Sequence, residues 1–117
     1  MQDNEILDLS RLEEAFEDDT AGIAELLEMA LETGAKHRQS MEEGLAAGDA
    51  TVVARAAHGI KGSAGNIGAA RVAALATELD QRARTGNLDG ARERIDAIGA
   101  AYDELAERVR TYREGIR

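Results

Sequence analysis

The chain has 117 residues, 14 Lys+Arg and 23 Asp+Glu, hence a formal net charge of −9, and no cysteine, which excludes a disulfide framework, a thiol nucleophile and thiolate metal sites. Aromatic residues at 3% are too few for a base-stacking platform, and the acidic balance opposes contact with a phosphate backbone, so no nucleic-acid partner is expected. No apolar run approaches the roughly 20 residues that span a bilayer and no charged-then-apolar leader opens the chain, so the expectation is one cytoplasmic domain over 1–117 with no membrane partner.

Proline is absent and Ala, Leu, Glu and Arg dominate, a composition that favours helix throughout. Ser10-Arg11-Leu12-Glu13 has the form of a capping box and predicts a short first helix, with Leu9, Leu12 and Phe16 on its packed side. A second helix is expected from about Ala21 to Ala47, with Ile23, Leu26, Leu27, Ala30, Met41 and Leu45 on its apolar stripe and Gly34 and His37 at the same spacing. Gly48-Asp49 ends it and caps a third helix, from about Ala50 to Gly65. A joint follows at Gly65-Asn66-Ile67-Gly68, where Asn66 is expected to take the left-handed conformation. The fourth helix, about Ala69 to Thr85, carries Val72, Leu75, Ala76, Leu79 and Ala83 on one stripe. After Thr85-Gly86-Asn87, the last helix buries Leu88, Ala91, Ile95, Ile98, Tyr102, Leu105, Val109 and Tyr112. Four long helices with short connections predict an all-α, antiparallel up-down four-helix bundle with a short additional N-terminal helix as a lid.

One segment departs from this scaffold pattern. Residues 50–77 contain Arg55, Lys61 and Arg71 but no carboxylate, in a chain that is otherwise strongly acidic. At about 100° per residue, Val53, Ala57, Ile60 and Ala64 share a buried stripe, with Ala56 and Ile67 close by. His58 projects roughly opposite, and Thr51, Ala54, Arg55, Lys61, Gly62 and Gly65 fall within about 60° of it. An exposed imidazole is therefore expected among two cations and four small residues, with no carboxylate beside it. A glycine inside a helix costs up to about 1 kcal/mol relative to alanine, yet Gly59, Gly62 and Gly65 all occur here. The start of a loop accounts for Gly65 and Gly68 but not for Gly62, because Ser63 and Ala64 continue the helical pattern. Gly62 stands one turn from His58 on the same face, where a missing side chain lets another molecule approach. A histidine of ordinary pKa, about 6.5, is largely a neutral nucleophile near neutral pH. Lys61 offers a point charge suited to the equatorial oxygens of a phosphoryl group in transfer.

The run His58-Gly59-Ile60-Lys61-Gly62-Ser63-Ala64-Gly65-Asn66-Ile67-Gly68-Ala69 resembles the signature of histidine-containing phosphotransfer (HPt) domains. The family pattern is matched at His58, Lys61, Gly62, Ser63, Ala64, Asn66, Gly68 and Ala69, with Ile60 in place of the commoner leucine. The helical layout is similar from about Leu7 to Arg110. The resemblance implies a phosphorelay intermediate. His58 would accept a phosphoryl group on Nε2 from the aspartyl phosphate of one response-regulator receiver domain and pass it to another. Lys61 would stabilise its oxygens and Gly62 would permit docking, with Thr51, Ala54, Arg55 and Gly65 on the receiver-docking face. The family is mostly monomeric and needs no cofactor of its own, the Mg²⁺ being carried by the receiver; a hybrid histidine kinase is a further expected partner.

Two other readings stand beside this one: the phosphoacceptor domain of a chemotaxis-type histidine kinase, with a similar His-x-x-Lys-Gly, and a non-catalytic helical adaptor binding through apolar grooves. A bundle metal site is not expected, since neither His37 nor His58 has a glutamate three residues before it. No GxxxxGK[ST] loop or kinase signature occurs, and the glycine-rich run lacks a preceding strand and the G-x-G-x-x-G spacing. His37 reads as an edge histidine packing its ring on the bundle. Ser63, about 140° from His58, reads as facing the bundle rather than a phosphoryl group.

Overall fold

The computed structural model describes residues 5–116. Five helices have defined bounds: α1 Ser10–Ala15, α2 Thr20–Ala47, α3 Ala50–Asn66, α4 Ala70–Arg84 and α5 Ala91–Glu114. α2 packs on α3 and α5, and α4 closes the ring against α3 and α5, with α1 against α2. Short connections between consecutive helices make this the expected antiparallel up-down bundle, with α3 and α5 at opposite corners.

The predicted stripes form the core. Ile23, Leu27, Met41, Val53, Ile60, Ile67, Val72, Leu79, Ile98, Leu105 and Val109 are fully buried. Leu88 precedes α5 and is half-buried. Two glycines let bulky neighbours in. A Cβ on Gly34 would stand 2.5 Å from the Tyr102 ring, and one on Gly44 would stand 2.8 Å from Val52. Gly48 ends α2 in the left-handed region at φ 66°, and the Asp49 carboxylate accepts from Val52 N at 3.2 Å to start α3. The N-terminus of α2 is capped in the same way, Asp19 accepting from Gly22 N at 3.1 Å.

Two local expectations are corrected. Ser10 forms no capping box: Asp8 accepts from both its N–H, at 3.1 Å, and its hydroxyl, at 2.7 Å. An ionised carboxylate is the stronger acceptor, so the hydroxyl donates to it instead of accepting from Glu13, whose N–H bonds Leu9 O at 2.8 Å. Those two bonds hold the Asp8 carboxyl below the usual carboxylate range. The left-handed residue after α3 is Gly68, at φ 81°, not Asn66, which is the last residue of the helix. Asp8 dictates that choice as well. Its carbonyl oxygen would collide with any Cβ at position 68, and its N–H bonds Gly68 O at 3.0 Å. The segment before α1 is thus tied across the α3–α4 joint.

Candidate functional site

The site is built on α3. With Val53, Ala56, Ala57, Ile60 and Ala64 buried, the opposite face is turned outward, and the His58 side chain is 65% exposed. Thr51, Arg55, Lys61, Gly62 and Gly65 are exposed beside it, and Ala54 is half-buried. A Cβ on Gly62 or Gly65 would meet nothing within 4 Å, so bare backbone lies open along the helix C-terminal to the imidazole. Gly59 serves a different purpose. A Cβ there would stand 2.5 Å from His37 Cε1 and 2.6 Å from Nε2, so its absence lets the half-buried His37 ring of α2 rest on α3. Ser63 lines a groove with Met29 and Thr33 of α2 and faces away from the imidazole.

The charge around His58 is partly as expected. Arg55 and Lys61 form no ion pair with another described residue. Arg71, the third cation of the acid-free segment, pairs with Glu5 at 3.2 Å and Glu104 at 3.3 Å and so belongs to the bundle's own ion pairs.

The expectation of no carboxylate beside His58 is overturned. Asp80 of α4 places Oδ2 3.5 Å from His58 Nδ1 with its own side chain only 4% exposed. It is the one buried charged residue among the described ones. Repulsion of an incoming anion is countered in two ways: the carboxylate lies behind the ring and not in front of it, and Arg84, one turn along α4, donates to the same Oδ2 at 2.5 Å. The sequence did hold a signal. Asp80 interrupts the buried stripe of α4 at helical spacing between Ala76 and Ala83, where an acid needs a partner. It lies outside the 50–77 window, and only the packing of α4 on α3 brings it to the imidazole.

A carboxylate at Nδ1 has a definite chemical effect. Within hydrogen-bond reach it favours the tautomer with the proton on Nδ1, which leaves the Nε2 lone pair as the nucleophile; at 3.5 Å it stands just outside that reach. Among the described residues no cluster of three His, Asp or Glu side chains is arranged to hold a metal ion, and no helix is long and apolar enough to cross a membrane.

Comparison with known proteins bears on the family and the fold. The Hpt domain model matches residues 25–108, a span that includes α3 and α4 whole. The chain is similar to the crystal structure of histidine-containing phosphotransfer protein B (HptB) from Pseudomonas aeruginosa PAO1, with 29% identity and a TM-score of 0.87 over 96% of this chain and 97% of that one. No curated protein sequence matches. Members of the Hpt family interact with receiver domains and kinases in phosphorelays. With an outward imidazole on the matched bundle helix and a match over most of its length, the chain belongs to the Hpt domain family, the histidine phosphotransfer intermediates of phosphorelay signalling.

Proposed function

We propose that His58 is the residue on which this protein carries the phosphoryl group, taken from an aspartyl phosphate on one response-regulator receiver domain and given to an aspartate on another. The observation that carries the reading is an exposed ring whose Nδ1 faces a buried carboxylate 3.5 Å away, while Nε2 has no partner among the described residues. In the forward step the Nε2 lone pair attacks phosphorus, the aspartyl C–O–P linkage breaks at its O–P bond, and the receiver carboxylate departs with that electron pair. The proton stays on Nδ1 beside Asp80, whose charge stabilises the resulting phospho-imidazolium. That same proton makes the ring a better leaving group in the return step.

Lys61 stabilises the equatorial oxygens during transfer, and Gly62 with Gly65 offers the bare surface on which the partner closes. Thr51, Ala54 and Arg55 extend this docking face, where the free Arg55 and Lys61 suit an acidic partner pocket. Transfer relies on positioning and charge, so the chain needs no cofactor; the Mg²⁺ resides on the receiver. A monomer acting in the cytoplasm, supplied through a hybrid histidine kinase's receiver, fits this scheme.

The test is incubation with a phosphorylated receiver. Wild type should gain acid-labile, alkali-stable phosphate, and His58→Gln should gain none. Equal labelling of the variant would refute the assignment. Labelling only by an ATP-bound kinase domain, and by no receiver, would instead favour the chemotaxis-type phosphoacceptor reading.

A further inference from the structure

The buried carboxylate behind His58 is shared unequally. Arg84 Nη2 reaches Asp80 Oδ2 at 2.5 Å, a short charge-assisted hydrogen bond. His58 Nδ1 stands 3.5 Å from the same oxygen, beyond the usual N–H···O range of about 2.7–3.2 Å. Both donors thus address one atom, and the guanidinium holds it.

The two competitors also differ in freedom. Asp80 is locked in the bundle at 4% exposure, whereas Arg84 is the last residue of α4 and its side chain is 65% exposed. The groups around the imidazole are Arg55 and Lys61 on its own helix, Asp80 and Arg84 on α4, and His37 of α2 over Gly59. Of these, only Arg84 touches Asp80 with a cation that can leave without disturbing the core.

We propose that Arg84 is a positioning residue that acts through Asp80: in the unloaded protein it withholds the carboxylate from His58, and it releases it when a phosphoryl group arrives on the ring. The proposal rests on His58 being the phosphoryl carrier. A phosphoryl group on Nε2 brings about two negative charges and three acceptor oxygens to the exposed side of the site, two of which a planar guanidinium can meet at once. It also leaves Nδ1–H cationic, which strengthens its hold on Oδ2. Arg84 therefore exchanges Asp80 for the phosphoryl oxygens while Nδ1–H takes Oδ2. The swap ties the ring's tautomer to its loading state without moving a helix.

The first measurement is independent of phosphorylation. Ring ¹⁵N spectra of His58, recorded in alkaline buffer where they no longer change with pH, report its tautomer. Arg84→Met should raise the Nδ1–H fraction above wild type, and Arg84→Lys, which keeps the cation, should stay near wild type. In an Asp80→Asn background, the Arg84→Met substitution should no longer change that fraction. The second measurement is the ring ¹H–¹⁵N spectrum before and after loading by a phosphorylated receiver: the Nδ1–H proton signal should move downfield on loading in wild type, as Oδ2 is released to it, and should move less in Arg84→Met, where Oδ2 is already free.

Identical ring spectra for wild type, Arg84→Met and Arg84→Lys would overturn the proposal, as would independent, additive effects of the Asp80 and Arg84 substitutions. If Arg84→Met loses its helical circular dichroism, Arg84→Lys against Asp80→Asn decides by the same spectra. Phosphate retained by His58→Gln would defeat the carrier assignment instead, leaving the tautomer result intact, so the two failures are distinguishable.

Discussion

α3 and α5 occupy opposite corners of one bundle and treat their charges in opposite ways. α5 satisfies its own surface: Arg92 pairs with Glu42 and Asp96, Arg94 with Glu78, Arg110 with Glu107 and Glu114, and Arg113 with Glu28. Hydrogen bonds from Arg92 hold Glu42 below the usual carboxylate range, and those from Arg110 do the same for Glu107. Exposed pairs of this kind add little stability each, but they leave few charges free to attract another molecule. On α3 the reverse holds. Arg55 and Lys61 have no partner among the described residues, two glycines expose backbone, and the one nearby acid is buried. The contrast teaches that a docking face can be recognised by what its helix leaves unpaired as much as by what it displays.

The largest effect that would break this contrast is expected at Gly62. Because a Cβ there meets nothing, Gly62→Glu should leave the thermal midpoint nearly unchanged while cutting receiver-to-His58 transfer at least about tenfold, through a steric and like-charge block worth roughly 1.4 kcal/mol or more. Unchanged transfer, timed by label appearing on the protein, would show that the bare backbone is not where the partner closes.

Gly59 sharpens the same comparison from the inner side of the helix. Gly59→Ala drives a methyl group into the His37 ring and should lower stability by up to about 2 kcal/mol, overpacking of about 1–3 kcal/mol less the up to about 1 kcal/mol that alanine gains over glycine inside a helix, read as a fall in denaturant midpoint. Transfer by the fraction still folded should persist. A stable Gly59→Ala protein would mean that His37 yields easily.

The smallest effect concerns α5 itself. Burial pushes the Tyr102 phenol from 10 up to about 12, with the Arg38 cation nearby pulling it slightly back. The folded state therefore keeps this proton longer than the unfolded chain. The corresponding stability is fully present below pH 10 and is lost as pH climbs towards about 12. Tyr102→Phe should flatten that part of the alkaline melting profile, leaving the contribution of Tyr112, whose phenol burial also raises. The Tyr102 hydroxyl has no hydrogen-bond partner among the described residues, so its removal should also stabilise by up to about 1 kcal/mol at neutral pH. A destabilised Tyr102→Phe protein would mean the hydroxyl is satisfied in solution.

Much of this architecture was legible in the sequence because helix boundaries here are set by neighbours. Gly48-Asp49 stops one helix and caps the next within two residues, and the stripes of α3 and α5 keep register from end to end. The misreadings share one physical cause, a polar partner that hydrophobic periodicity does not register. Ser10 lost its capping role, and position 68 gained its left-handed turn, because Asp8 reaches both. Likewise Asp80 is 22 residues from His58 along the chain but only 3.5 Å away in space. Periodicity marks Asp80 as inward-facing, yet it cannot say which neighbour α4 will offer it. The division among the glycines was equally hidden, since Gly59 has α2 against it and Gly62 has nothing, a difference that the sequence does not mark.

The tie between Asp8 and Gly68 gives the beginning of the chain a hold on the far end of the site helix. Trimming the residues ahead of α1 would take Ile6 and Leu7 out of the core and let the turn after Asn66 breathe. Loss would then surface first as faster amide exchange at the end of α3, remote from the cut.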